Sequence, residues 1–211
     1  MKDAAIHCES LTAEIAAVAD GVSSCRNGKK GAEIAVKAAA ELLLEETEYF
    51  FSSEKEKIAG LIVSYIRDKI FSFVEKNNQE PESYASTLSF VCRNKKTNEV
   101  MTFLLGDSLI FSFGEKEKHR LACKPVFLND FKTITTMTEN AEKFVDIKRN
   151  APKDISYFVL ATDGAWASFY ENSGFAEDFK AITEKEIVEY LKKQECKDDC
   201  SVAFLNLKKG A

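Results

Sequence analysis

Three aspartates stand at the ends of apolar runs, each flanked by very small residues, and this pattern limits the fold more than any other feature of the chain. The runs are Ile15-Ala16-Ala17-Val18-Ala19-Asp20-Gly21, Met101-Thr102-Phe103-Leu104-Leu105-Gly106-Asp107-Ser108 and Tyr157-Phe158-Val159-Leu160-Ala161-Thr162-Asp163-Gly164. A fourth acidic site, Asp198-Asp199, lies just before the apolar run Val202-Ala203-Phe204-Leu205. Buried strands that carry carboxylates at their tips have the form of a cleft wall. A carboxylate without a partner at the edge of a core is costly. Several that converge on one point repel each other unless a cation sits between them. Hard oxygen ligands of this kind suit Mg²⁺ or Mn²⁺.

An Asp-Gly pair after a strand also reads as a turn, because Asp bonds its own backbone and Gly accepts positive φ. For any single site that is the commoner reading. A hairpin turn, however, leads into a second strand. Gly21 is followed by a loop and then the helical stretch Gly31 to Leu44, and Gly164 by Ala165-Trp166-Ala167-Ser168-Phe169, which does not alternate as a strand does. Recurrence at four places favours one shared site.

At 211 residues the chain falls in the range of one domain with a substantial core. A net charge of −5 argues against nucleic acid as a partner, since binders of that class carry a basic face. The longest apolar stretch, Ile58 to Ile66, stops at Arg67, well short of the ~20 residues of a spanning helix, so no membrane partner is expected. Met1-Lys2-Asp3 opens no signal-peptide apolar region. The six cysteines (Cys8, Cys25, Cys92, Cys123, Cys196, Cys200) are scattered and read as reduced thiols of a cytoplasmic protein. Cys196 and Cys200 lack the partners of a zinc set.

Periodicity gives an α/β order. Asp3 to Glu9 and Glu14 to Asp20 read as two strands around Ser10-Leu11-Thr12. Gly31 to Phe51 reads as one Ala-rich helix. Ser53 is the expected N-cap of a second helix, with Ile58, Ile62, Tyr65, Ile66, Ile70 and Phe73 on its apolar stripe, ending at Asn77-Asn78-Gln79-Glu80-Pro81. Strands are expected over Thr87 to Cys92, Val100 to Leu105, Ile110 to Phe113 and Arg120 to Lys124. Residues 126–150 carry no clear period. Tyr157 to Ala161 reads as a buried strand, Thr183-Glu184-Lys185-Glu186 as the capping box of a helix to Lys193, and Ser201 to Leu207 as a last strand. Sheets covered by helices follow from this order.

These residues resemble the metal-dependent type-2C protein serine/threonine phosphatases, in the style of their compact bacterial branch. Lys2-Asp3-Ala4 falls where that family has its first acidic motif, and Val18-Ala19-Asp20-Gly21-Val22 before the Gly31-Ala32 helix resembles its second. Ala85-Ser86-Thr87-Leu88 is similar to its small-Ser-Thr strand start, and Gly106-Asp107-Ser108 to its Gly-Asp-Ser motif. Leu160-Ala161-Thr162-Asp163-Gly164-Ala165-Trp166 resembles its Ser-Asp-Gly-hydrophobic-Trp motif with Thr for Ser, and Asp198-Asp199-Cys200-Ser201-Val202 its final motif. Each motif alone is weak, whereas their order and spacing together are fairly specific.

The resemblance implies one α+β domain over residues 1–211, a four-layer α-β-β-α sandwich of two antiparallel sheets flanked by helices. It implies two core Mn²⁺ or Mg²⁺ ions and a weaker third. Carried over by position, Asp20 and Asp163 are the central catalytic ligands. Asp20 bridges two ions and the Gly21 carbonyl binds one; Asp163 and Asp198 complete the first, Asp3 holds the second, and Asp107 helps bind the third. Two ions ~3.5–4 Å apart can share a water and lower its pKa toward neutrality. The bridging hydroxide then attacks a phosphoserine or phosphothreonine monoester in line with the departing oxygen. The implied partner is a phosphorylated protein that a serine/threonine kinase modifies.

Several positions depart from the family. Val22 stands where some members have a His proposed to protonate the leaving group, which leaves that proton to a metal-bound water. His7 and His119 read as structural. The family usually has a further N-terminal strand with a basic residue for the substrate phosphate, and this chain begins after that point. Lys2 replaces the usual acidic or amide residue, and Leu109 replaces a frequent Arg. The loop Arg26-Asn27-Gly28-Lys29-Lys30-Gly31 lacks the spacing and the Ser or Thr of an ATP-binding loop. It reads either as a solvated basic loop or as a partial substitute phosphate holder through Arg26, Lys29 and Lys30. Two functional classes stay open: an active phosphatase, and a catalytically weakened phosphatase-like binding or regulatory module.

Overall fold

Strand β2 (Ala13–Ala19) is buried along its whole length, so both of its faces must be covered. Its side chains alternate between two cores. Ile15, Ala17 and Ala19 join an apolar cluster with the helices that follow, whereas Ala16 and Val18 face a second sheet. The computed structural model describes residues 2–114, 120–124, 133–150, 155–171, 174–193 and 199–207. Asp198, Cys196 and His119 lie outside the described residues, as does part of the 126–150 segment.

The first sheet contains β1 (Ala4–Glu9), β2, β3 (Leu88–Asn94), β4 (Val100–Leu105) and β7 (Asp146–Asn150), in the order β1-β2-β3-β4-β7. The second contains β5 (Leu109–Gly114), β6 (Arg120–Cys123), β8 (Ile155–Ala161) and β11 (Val202–Asn206), in the order β11-β8-β5-β6. All pairings are antiparallel. A short hairpin, β9 (Tyr170–Glu171) and β10 (Gly174–Phe175), stands apart.

Val18, Val91, Leu104, Ile110, Phe158, Leu160 and Leu205 fill the space between the sheets. Helices α1 (Gly28–Glu45) and α3 (Lys55–Asn77) cover the outer face of the first sheet. Ala32, Ala35 and Ala39 of α1 are fully buried there, and their small side chains let the helix lie close to an alanine-rich strand. Outside the second sheet Phe111 meets Phe169, Phe175 and Phe179 edge to face. These rings join α4 (Asp163–Trp166), α5 (Glu177–Ala181) and α6 (Glu184–Lys193) to the sheet. The result is the expected α-β-β-α sandwich of two antiparallel sheets.

Register decides where the acidic residues go. Ala4 pairs with Ala19, so Asp3 and Asp20 emerge at the same end of the first sheet. Leu88 pairs with Leu105, which brings Thr87 and Gly106 to that end. In the second sheet Ala161 pairs with both Leu109 and Val202, so Asp163, Asp107 and Asp199 gather at the corresponding end.

Several boundaries differ from expectation. The 31–51 helix begins earlier, at Gly28, and breaks at Glu46 into α1 and α2 (Thr47–Ser52). The Thr47 hydroxyl donates to the Leu43 carbonyl at 2.9 Å, a backbone bond of the kind that bends helices. Ser53 ends α2 and does not cap α3; Glu54 holds the cap position without a side-chain hydrogen bond. β7 has no counterpart in the sequence reading. It is an edge strand of sequence Asp-Ile-Lys-Arg-Asn in which only Ile147 is buried, a charged edge that resists pairing with other chains. At the start of α6 one half of the expected capping box forms: the Thr183 amide donates to the Glu186 carboxylate at 2.7 Å, and the Thr183 hydroxyl donates to the same carboxylate at 2.8 Å.

The chain changes sheets at Gly106, where φ is +112° and a Cβ would lie 2.6 Å from Thr87 Cγ2. Gly106→Ala is expected to destabilise the fold by about 1–3 kcal/mol, read as a lower thermal midpoint. An unchanged midpoint would mean that the crossover relaxes at no cost.

Candidate metal centre

The tip of β2 is pinned on both sides. The Asp20 amide donates to Thr87 Oγ1 at 2.8 Å, and the Thr87 amide donates to the Asp20 carbonyl at 2.8 Å. Gly21 bridges to Ser86, and the Val22 amide donates to the Ala85 carbonyl at 3.1 Å. On the other side a Cβ on Gly21 would sit 2.3 Å from the Gly28 carbonyl carbon and oxygen. The Asp-Gly pair therefore lets the start of α1 press directly against the site.

Asp3, just before β1, is buried, and its Oδ2 accepts a hydrogen bond from the Thr162 hydroxyl at 2.7 Å. The Ser201 amide donates to that same hydroxyl at 3.0 Å. Thr162 thus joins Asp3 to both the β8 tip and the β11 start. Asp107 is also buried. Its Oδ2 accepts from the Thr133 hydroxyl at 2.7 Å, and its backbone carbonyl accepts from the Trp166 indole at 2.7 Å. Its Oδ1 is buried without a hydrogen-bond partner. Asp163 opens α4, and its Oδ1 accepts from the Gly164 amide at 2.8 Å. Asp199 Oδ2 accepts from the Lys2 backbone amide.

Asp20, Gly21, Asp107, Asp163 and Asp199 line one open cleft of about 140 Å³. Lys2, Val22, Ser23, Thr87 and Thr133 complete its described wall. Burial raises the carboxyl of Asp3 and that of Asp107 above the ordinary range. Asp20 is pushed up to about 9, first by burial, then by its hydrogen bond with Asp3 and the charges of Asp3, Asp163 and Asp107. Asp199 is held below its ordinary value, chiefly by the Lys2 amide.

Such a cluster is either protonated or neutralised by a cation. Among the described residues no group of three or more His, Cys, Asp or Glu is close enough, as placed, to hold a metal ion. Asp198 lies outside the described residues. The donor set nevertheless fits a hard divalent cation: it is all oxygen, it is strongly acidic, and it includes the buried, unpartnered Asp107 Oδ1.

The basic loop has two readings, a solvated surface and a partial substitute phosphate holder. Arg26 and Lys29 are exposed, while Lys30 pairs with Glu33 at 3.1 Å and lies over the Phe73 ring at 5.4 Å. None of the three lines the described cleft. His7 pairs with Glu14 at 2.9 Å, with Glu14 at the start of β2 and Asp20 beyond its other end. Sequence reasoning missed Thr162, Thr133 and Lys2. Thr162 carried a signal, since it precedes Asp163 inside a motif. Thr133 carried none.

The protein phosphatase 2C family matches the sequence over residues 1–196. No curated protein matches it. Among solved structures, the S. agalactiae serine/threonine phosphatase is 16% identical, with a TM-score of 0.67 over 96% of this chain and 91% of that one. Serine/threonine phosphatase Stp1 from Staphylococcus aureus is 13% identical, with a TM-score of 0.65 over 97% and 88%. RsbX in complex with magnesium is 13% identical, with a TM-score of 0.59 over 96% and 85%. At these identities the likeness is one of fold.

The Asp20 carboxyl has an ordinary value of 3.8 and a folded value of about 9. A raised folded value means stability that is fully present below the unfolded value and is lost as pH rises through the folded one. The metal-free protein is therefore expected to melt at progressively lower temperature as pH climbs toward about 9. Added Mg²⁺ or Mn²⁺ should flatten that slope. A midpoint in EDTA that rises over the same range would contradict the electrostatic description.

Proposed function

We propose a function on the premise that this chain belongs to the protein phosphatase 2C family: it is a metal-dependent protein serine/threonine phosphatase that hydrolyses phosphoserine and phosphothreonine monoesters. The observation that carries this reading is the convergence of Asp3, Asp20, Asp107 and Asp163 from both sheets, with Asp20 pushed up to about 9. On this reading Asp20, Asp163, Asp198 and the Gly21 carbonyl hold the core cations with Asp3, and Asp107 serves a weaker one. Bound divalent cations would supply an acidic water and positive charge against the phosphate dianion.

The chain's own residues position that chemistry. Thr87 fixes the Asp20 backbone, and Thr162 occupies one Asp3 oxygen so that the carboxyl cannot rotate freely. The Trp166 indole holds the Asp107 backbone and so ties the crossover between sheets to the start of α4. Among the described residues no Cys or His lines the cleft. Val22 offers no proton to the departing oxygen.

We further assign residues 1–211 to one phosphatase domain that opposes a serine/threonine kinase in the cytoplasm. In the described residues no helix is long and apolar enough to cross a membrane, and Cys8, Cys25, Cys92 and Cys123 are free thiols. The alternative, a weakened phosphatase-like regulatory module, draws support from one feature: a lysine, Lys2, lines the wall of the acidic cleft.

Turnover of a phosphopeptide should require Mn²⁺ or Mg²⁺ and stop in EDTA. Asp20→Asn and Asp163→Asn should each lower kcat by roughly a hundredfold or more while the fold persists. The metal-free Asp20→Asn protein should melt slightly higher than wild type, because like-charge repulsion is relieved. Wild-type turnover in EDTA, or near-normal rates in either variant, would reject the assignment.

A further inference from the structure

Lys2 is one of the positions where this chain departs from the family pattern, and its side chain is held by backbone carbonyls. Its ammonium donates to the carbonyls of Ser23 and Cys25 (the latter at 2.9 Å) and reaches the Val22 carbonyl at 3.5 Å. Those carbonyls belong to the turn directly after Gly21, at the tip of β2. The Lys2 backbone amide donates to Asp199, before β11 of the other sheet. One residue thus ties the two sheet ends together beside the acidic cluster. Among the described residues that line the cleft, Lys2 is the only cationic one, and Asp20, Asp107, Asp163 and Asp199 are acidic.

An ammonium has three donors, and here three carbonyls face it. Its donors are thus engaged by backbone carbonyls and not directed at an incoming phosphate, and two of those carbonyls also accept backbone amides, Val22 from Cys25 at 2.9 Å and Cys25 from Gly28 at 3.3 Å. Its positive charge remains. Carbonyl oxygens that converge on a point are what a small cation would otherwise seek, and a side chain fills that place.

We infer that Lys2 is a built-in cation of the cleft: locked onto the carbonyls of the 22–25 turn, it offsets part of the negative charge of the acidic cluster and weakens the cluster's hold on divalent cations. The inference rests on the metal-binding reading above and goes beyond it. It assigns to Lys2 a control over how much free cation the site needs. A cluster already partly neutralised gains less from a bound ion, so loading follows the free divalent concentration over a higher range.

The test is Mn²⁺ titration by calorimetry at low ionic strength, where charge effects are least screened, on wild type and on Lys2→Arg, Lys2→Met and Lys2→Glu. Thermal midpoints without metal are read alongside. Arg keeps the charge and should bind Mn²⁺ within about twofold of wild type, whereas Met should bind roughly threefold to tenfold tighter, and Glu tighter again. The metal-free midpoint should fall in the order wild type, Met, Glu, because repulsion in the cleft grows. If Glu fails to fold, the Arg and Met pair, similar in length and different in charge, still decides the matter. A Met variant that melts lower yet binds Mn²⁺ no tighter than wild type would make Lys2 a mechanical tether only and overturn the inference while leaving the metal site standing. Tighter binding in Arg as well as Met would equally overturn it, since charge would not be the cause. Absence of Mn²⁺ binding in wild type and every variant would overturn the metal reading itself, and this inference with it.

Discussion

Buried carboxylates repel one another, and this fold brings several to one end of a β-sandwich. Among the described residues no side-chain cation from a helix lines the cleft, and two of them pair elsewhere: Lys30 with Glu33 and Lys69 with Glu41. The cluster is held in place by the register of two antiparallel sheets. Ala4 opposite Ala19, Leu88 opposite Leu105, and Ala161 opposite both Leu109 and Val202 leave no freedom about where Asp3, Asp20, Asp107, Asp163 and Asp199 emerge. A one-residue slip would turn each strand's apolar set away from its core. The cores that fix the register therefore also hold the acidic cluster together.

The rest of the architecture serves close approach around that end. Gly21 and Gly28 let α1 press on the Asp-Gly tip, and the alanines of β2 and α1 let helix and sheet lie near each other. Thr87 Oγ1 accepts from the Asp20 amide, and the Thr133 and Thr162 hydroxyls donate to the Asp107 and Asp3 carboxylates. These hydroxyls orient the acids and leave them unneutralised, which keeps the site's demand for a cation high. Lys2 is the exception among the described lining residues, and its ammonium is turned onto backbone carbonyls.

Much of this was legible in the sequence, for a physical reason. Asp20, Asp107 and Asp163 each sit at the end of an apolar run beside a tiny residue, so a strand tip and a tight approach could both be read from a few letters. Strands β3, β4, β5, β8 and β11 were legible from continuous apolarity. β7 was not, because an edge strand of charged residues has only Ile147 to mark its buried face. Thr133 was not, because it lies in a segment without period and meets Asp107 only through the fold. The basic loop shows the limit of charge as a signal. Once α1 starts at Gly28 and not at Gly31, Lys29 and Lys30 become first-turn helix residues, and Lys30 is drawn to Glu33 and Phe73. Lys2, read only as a departure from a motif, turned out to stand in the cleft wall.

The central claim is that this cluster exists to hold divalent cations, and anomalous scattering from a crystal grown with Mn²⁺ tests it most directly. The account predicts Mn²⁺ peaks inside the cleft, with at least one ion bonded directly to carboxylate oxygens of both Asp20 and Asp163. A map with no peak there, or with Mn²⁺ bound only at surface carboxylates away from the sheet ends, would contradict it.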